Sequence, residues 1–359
     1  MNRSSALSVQ RGVRAGVAGD DLFQQAAALG FGDVHLRLDA ASGLQAVVAI
    51  HSTRLGPAFG GTRCIPYPSS IAALNDCLRL ARGMSYKAAV AGLPFGGGKA
   101  VIMRPAGAFD RTALFESFGD FVDTLGGRFI TAVDSGTGVA DMDVIATRTR
   151  HVSSTSGTGA GHGDPSPYTA LGVCRAIEAV AAAANRPLGG LHVTIQGVGH
   201  VGRALAAELY ARGARLTVCD VDPALARPCA QDFGAAVVDP ELIYGVAADV
   251  FAPCALGGVI NDDTLPRLNA GIVCGAANNQ LERDEHGDAL HARGILYVPD
   301  YVCNAGGLMH AVPGPKHDLR GRVRAIYDTV AAILDQAARS ALAPYRVADR
   351  MAERILYGE

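Results

Sequence analysis

Leu191-His192-Val193-Thr194-Ile195-Gln196-Gly197-Val198-Gly199-His200-Val201-Gly202 decides the fold of this 359-residue chain. The six residues before Gly197 read as a buried strand. Residues 201–212 read as a helix, with Leu205, Ala206 and Leu209 on one face and Gly213 as its stop signal. A second strand over 215–219 ends in Asp220. Strand, glycine turn, helix, strand and acid make the pattern of a dinucleotide-binding unit. Gly197 allows the tight turn, Gly199 lets the backbone approach a pyrophosphate, and Gly202 lets helix and strand pack closely. The helix N-terminus turns bare N–H groups toward the phosphates. Asp220 follows Gly202 by 18 residues, near the usual interval of about 20. A carboxylate there accepts hydrogen bonds from a ribose 2′-hydroxyl and repels a 2′-phosphate, which favours NAD over NADP.

Downstream of this turn, strand-like and helix-like segments keep alternating. Strands are expected at 236–238, 248–252, 271–275 and 295–298. With the first two they make six, the number in a complete doubly wound fold. Upstream lies a different unit. Val34, Leu36 and Leu38 alternate with His35, Arg37 and Asp39, the period of a half-buried strand, and 44–50 follows as a second strand after a turn at Ser42-Gly43. Residues 70–82 form an amphipathic helix carrying Ile71, Leu74, Leu78 and Ala81 on one face. Asp110 caps another helix, with Leu114, Phe115, Phe118, Val122 and Leu125 inward. A strand over 128–133 stops at Asp134. The expected division is a mixed α/β unit over 1–150 and a doubly wound Rossmann unit over 151–330. A C-terminal helix over 331–359 should pack back on the first unit. The Gly/Ser/Thr-rich stretch 153–164 marks the boundary, and residues 1–20 read as a loose tail.

Bulk properties narrow the function. The chain is 49% hydrophobic and 18% charged with a net charge of −2. A large core is available, and nucleic acid is not the expected partner. No uncharged apolar run is long enough for a membrane span, and the N-terminal residues lack the apolar core of a signal peptide. The eight cysteines form no CxxC pair and read as buried thiols of a cytoplasmic protein. The histidines show no ligand spacing such as HExxH, so no metal site is expected.

A second polar signal is Leu93-Pro94-Phe95-Gly96-Gly97-Gly98-Lys99-Ala100-Val101-Ile102. Glycines allow close backbone approach, and a lysine confined beside them loses hydration, which disfavours its charged form and suits it to act as a base. Lys87 lies near the end of an apolar helix and Asp134 at the end of a strand. Each alone also fits a solvated helix-end charge or a turn residue.

Further motifs join these. They are Leu55-Gly56-Pro57-Ala58-Phe59-Gly60-Gly61-Thr62-Arg63, Met84-Ser85-Tyr86-Lys87, Ala140-Asp141-Met142-Asp143 and Asp164-Pro165-Ser166-Pro167-Tyr168-Thr169. Phe251-Ala252-Pro253-Cys254-Ala255-Leu256-Gly257-Gly258, Gly275-Ala276-Ala277-Asn278-Asn279-Gln280 and Pro299-Asp300-Tyr301-Val302-Cys303-Asn304-Ala305-Gly306-Gly307 complete the set. On these motifs the chain, from about Asp33 to near its C-terminus, resembles the amino acid dehydrogenases of the glutamate/leucine/phenylalanine/valine family. It looks nearest to their leucine, valine and phenylalanine members. The resemblance implies an N-terminal substrate and oligomerisation domain, an NAD-binding Rossmann domain and an active-site cleft between them, in a homo-oligomer. The reaction implied is reversible oxidative deamination of an L-amino acid to the 2-oxo acid, ammonium and NADH.

By the same resemblance Lys87 binds the substrate carboxylate, helped by Asn278 and the backbone at Gly60 and Gly61. Lys99 activates the attacking water, and Asp134 exchanges a proton with the substrate nitrogen. Thr169 contacts the nicotinamide carboxamide. Gly197, Val198, Gly199, His200, Val201 and Gly202 surround the cofactor with Asp220, Cys254, Ala255, Asn278 and Asn304. The side-chain pocket is lined by Phe59, Ala132, Leu308 and Ala311. All four are apolar, so valine, leucine or isoleucine is the expected substrate, and phenylalanine or tryptophan the alternative.

Two features depart from the family pattern. The stretch Leu308-Met309-His310-Ala311-Val312-Pro313-Gly314-Pro315 is proline-rich and short, and Phe59 stands where leucine or another small apolar residue is more usual. Two other readings compete. Glutamate dehydrogenases place a lysine where this chain has Phe59, and a carboxylate there would be buried unpaired. A silent NAD-binding protein has no need of Lys87, Lys99, Asp134 and Asn278 together.

Overall fold

The structure is a computed structural model and describes residues 24, 27, 30, 31, 33–157, 164–312 and 318–358. The tail expected over 1–20, part of the expected boundary stretch and residues 313–315 of the proline-rich segment lie outside the described residues.

The N-terminal half builds one sheet. Its elements are β1 (Val34–Asp39), β2 (Leu44–Ser52), β3 (Ala58–Ile65), α1 (Ser70–Val90), β4 (Gly96–Met103), α2 (Arg111–Thr124), β5 (Phe129–Val133) and α3 (Val139–Ala146). The strand order is β1-β2-β4-β3-β5. β2 runs antiparallel to both β1 and β4, while β3 is parallel to β4 and β5. One face of the sheet packs Val47, Ala49 and Val101 against Ala73, Leu74, Cys77 and Leu78 of α1. The other packs Val48, Ile50, Ala100, Ile102 and Phe129 against Leu114, Phe115, Phe118 and Val122 of α2. Asp110 caps α2 as expected, its Oδ1 accepting the Ala113 N–H at 3.1 Å. The helix expected over 70–82 instead continues to Val90. Its last turns, from Ser85 to Ala89, are buried on every side, so the one-sided apolar stripe that marks a surface helix is lost there.

The second sheet carries the glycine turn. Its elements are α4 (Ser166–Ala183), β6 (His192–Gln196), α5 (His200–Tyr210), β7 (Arg215–Cys219), α6 (Pro223–Phe233), β8 (Ala236–Val237), β9 (Ala248–Pro253), β10 (Ala270–Val273), α7 (Glu285–Ala292), β11 (Leu296–Tyr297), α8 (Asp300–Cys303) and α9 (Ala305–Ala311). Its order is β11-β10-β9-β6-β7-β8, with every pair parallel. The chain winds outward from β6 in both directions, which makes a doubly wound sheet with a crevice at the carboxyl ends of β6 and β9. All six expected strands are present.

The chain ends in three helices rather than one: α10 (Leu319–Arg324), α11 (Ile326–Ser340) and α12 (Pro344–Tyr357). Ala341 closes α11 in the left-handed region at φ 54°, and Pro344 opens α12. α11 packs on α4, whereas α12 crosses to α1, where Ala352 and Leu356 meet Tyr86 and Ala89. Among the described residues no helix is long and apolar enough to cross a membrane.

Candidate active site

Between the two sheets lies a cleft of about 570 Å³. β3 contributes Phe59 and Gly61, α1 contributes Met84 and Lys87, β4 contributes Lys99, and the end of β5 contributes Ala132, Val133 and Asp134. From the other side come Thr169 at the start of α4, Val201 of α5, Asn278, and Asn304, Leu308 and Ala311 on and before α9. Gly60 is not among the lining residues. Strand alternation turns Phe59 and Gly61 to one face and Gly60 to the other.

Burial shapes the charges in the cleft. Lys87 is 9% exposed and Lys99 4%. Lys87 Nζ donates to Asn278 Oδ1 at 3.0 Å, and Asn304 Nδ2 donates to the same oxygen at 2.8 Å. Burial lowers Lys87 from the ordinary lysine range, Asp300 pulls against that, and Lys99 adds to the lowering. Lys99 sits against a counter-charge that the sequence did not show: Asp134 Oδ1 lies 3.1 Å from its Nζ. Burial alone would raise the Asp134 carboxyl, but Lys99 and Arg63 outweigh it and bring it down to about 2. Arg63 Nε reaches Asp134 Oδ2 at 2.8 Å, and its Nη1 reaches Asp76 Oδ2 at 2.8 Å. Arg63 stands in a quoted motif, yet its role as clamp on Asp134 became visible only once β3 and β5 were side by side.

The remaining expected residues gather at the ends of β6, β7 and β9, with Val201 common to both groups. Gly197 adopts φ +88°, and a Cβ at Gly202 would lie 1.9 Å from the Gly197 carbonyl oxygen. A Cβ at Gly199 would meet nothing within 4 Å, so the turn is open where a pyrophosphate would approach. The N-cap Gly199 gives no side-chain hydrogen bond to α5, leaving that end available to an anion. Asp220 Oδ2 accepts the Val198 N–H at 2.8 Å, and the Cys254 N–H donates to the Gln196 carbonyl at 2.7 Å beside Ala255. In the cleft, the buried Asn304 Oδ1 has no hydrogen-bond partner among the described residues, which suits a carboxamide donor. The residues present therefore fit a nicotinamide dinucleotide. Among the described residues Asp262, Glu282 and His286 also bring ligand-type atoms within 4.8 Å of one another, but Arg283 already pairs with both carboxylates.

Residues 32–151 match the model of the Glu/Leu/Phe/Val dehydrogenase dimerisation domain, and residues 230–312 match that of the Glutamate/Leucine/Phenylalanine/Valine dehydrogenase domain. Leucine dehydrogenase of Bacillus cereus is 45% identical over 325 residues, 88% of each chain. The chain belongs to the Glu/Leu/Phe/Val dehydrogenase family. This dehydrogenase is also 45% identical to valine dehydrogenase of Streptomyces coelicolor over 90% of its own length and 92% of that protein's. L-Tryptophan dehydrogenase of Nostoc punctiforme is 44% identical over 86% of this chain and 89% of its own. The crystal structure of L-tryptophan dehydrogenase from Nostoc punctiforme superposes with a TM-score of 0.79 at 40% identity, covering 94% of this chain and 99% of that one. The hetero-hexameric glutamate dehydrogenase from Thermus thermophilus shares the fold at a TM-score of 0.76, over 92% and 89%. The enzyme is thus an oxidoreductase of amino acids.

Proposed function

We propose that this dehydrogenase oxidatively deaminates a branched aliphatic L-amino acid with NAD to the 2-oxo acid, ammonium and NADH. The observation that carries the reading is the convergence of Lys87, Lys99, Asp134 and Asn278 beside an apolar wall of Phe59, Ala132, Leu308 and Ala311. Lys87 and Asn278 bind the α-carboxylate, and the arriving anion restores to Lys87 the charge that burial disfavours. Asp134, held ionised, takes a proton from the substrate ammonium and leaves a neutral amine. A nicotinamide held by Thr169 and Asn304 would supply the hydride acceptor for Cα. With Asp134 neutralised, Lys99 releases to solvent the one proton the overall reaction liberates and, now neutral, takes a proton from the water that attacks the resulting imine carbon. Asp134 gives its proton to the nitrogen, then takes the carbinolamine hydroxyl proton as the C–N bond breaks and the carbonyl forms, and passes it to the leaving ammonia. Asp220 at the ribose selects NAD.

The side-chain floor is the Phe59 ring, edge-on to Phe95 at 5.8 Å between centroids. Glutamate would press its second carboxylate onto that ring at a cost of several kcal/mol. Ala132 and Ala311 leave room in the walls, which with the tryptophan dehydrogenase relative supports an aromatic substrate as the second reading. The domain roles follow: residues 1–150 bind substrate and form a homo-oligomer, and residues 151–330 bind NAD. Eight free thiols, seven of them buried, suit a cytoplasmic site of action. The test is product stoichiometry. L-Leucine and NAD should give equimolar NADH, ammonium and 4-methyl-2-oxopentanoate. NADH without ammonium would reject the proposed reaction.

A further inference from the structure

We propose that His51 is a positioning residue for this reaction, fixing through Ser85 the joint between α1 and β4 that sets Lys87 against Lys99. β2 and β4 pair regularly from Ala46↔Ile102 to Ile50↔Gly98, and then Ser52 rather than His51 pairs with Gly97. His51 is therefore the extra residue of a bulge, a device that re-aims a side chain. Its Nδ1 lies 2.8 Å from Ser85 Oγ.

Ser85 occupies a close approach of α1 to β4. It is fully buried, and a Cβ at Gly97 would lie 2.0 Å from its backbone nitrogen and 2.4 Å from its hydroxyl. The Ser85 hydroxyl also faces the Gly97 carbonyl at 3.5 Å. Lys87 stands two residues beyond Ser85 and Lys99 two beyond Gly97. A slide or tilt at this joint therefore moves the two ammonium groups relative to each other. The C-terminal helix reaches the same point: the Tyr357 hydroxyl is 3.4 Å from His51 Nε2, and Arg54 Nη1 donates to the Tyr357 carbonyl at 3.1 Å. A neutral imidazole with its proton on Nδ1 satisfies these contacts in one direction. Tyr357 O–H then donates to Nε2, Nδ1–H to Ser85 Oγ, and Ser85 O–H to the Gly97 carbonyl. The ring also packs edge-on to Phe31 at 4.9 Å and Tyr86 at 6.3 Å, so the bond to Ser85 has to be separated from packing by experiment.

The inference rests on the proposed roles of Lys87 and Lys99. Its test is steady-state kinetics with L-leucine and NAD on His51→Leu, His51→Asn and His51→Gln, with thermal unfolding of each. An Asn amide reaches the place of Nδ1, and a Gln amide the place of Nε2. A misplacement of about 1 Å costs on the order of 10²-fold. His51→Leu should lose about 10- to 100-fold in kcat/KM for the amino acid, with the KM for NAD changed by less than about twofold. His51→Asn should recover to within about threefold of wild type, and His51→Gln should not. Wild-type kcat/KM in His51→Leu would overturn the inference, as would equal impairment of Asn and Gln variants in step with their unfolding temperatures. Lys99→Ala is assayed alongside. If it keeps turnover, the proposed lysine roles fail; if it is inactive while His51→Leu matches wild type, only the positioning role fails.

Discussion

In the proposed reaction Lys99 and Asp134 are the two residues assigned the proton transfers. Lys99→Ala should leave NAD binding nearly intact and lower turnover by at least about 10²-fold, the usual loss of a general acid or base. NAD titration and kcat measure the two halves, and near-normal turnover would remove Lys99 from the mechanism. Asp134 links the site to stability. Its folded-state pKa of about 2 lies below the ordinary 3.8, so its pairing contributes fully above pH about 4. As pH falls from about 4 through 2, the unfolded chain takes up the proton first and that contribution, about 2 kcal/mol, is lost. Asp134→Asn should therefore lose stability less steeply than wild type below pH about 4, read as urea midpoints against pH. Equal slopes would show that the ion pair with Lys99 and Arg63 does not govern the acid limb. The lysines and Asp134 stand out in the sequence because polar residues beside glycine-rich or apolar runs are conspicuous. Their partners do not: Arg63 is 71 residues from Asp134, and His51 is 34 from Ser85, and only the sheet brings them together.

At the scale of elements, legibility followed locality. The glycine turn with its strands and helix is contiguous, so its reading needs no tertiary information. β3 and β4 carry Phe59, Gly61 and Lys99 of the cleft, yet neither stood out as a strand. Both are almost wholly buried and glycine-rich, which removes the alternation that marks a half-exposed strand. The three closing helices read as one because the left-handed residue between α11 and α12 is Ala341, with no glycine to signal the stop. The turn also makes a prediction. Asp220 is held by the N–H groups of Val198 at 2.8 Å and Asp222 at 3.0 Å, so its charge cannot easily swing away from a 2′-phosphate. kcat/KM should be higher with NAD than with NADP, and equal or better use of NADP would displace Asp220 from the ribose.

The whole molecule is a cleft assembled by two sheets, with α12 crossing from the second sheet's side to α1. The sequence shows apolar residues at Phe59, Ala132, Leu308 and Ala311, and the structure adds that all four border one volume. The choice of substrate was not legible further, because one methylene in an apolar pocket is worth only about 1–3 kcal/mol, a matter of fit that residue types do not encode. The most direct test is kcat/KM with NAD for L-valine, L-leucine, L-phenylalanine, L-tryptophan and L-glutamate, on wild type and on Phe59→Ala. Wild type should prefer valine or leucine and turn glutamate over poorly, and Phe59→Ala should shift preference toward longer or aromatic side chains. Wild-type preference for glutamate, or an unchanged profile in Phe59→Ala, would contradict it.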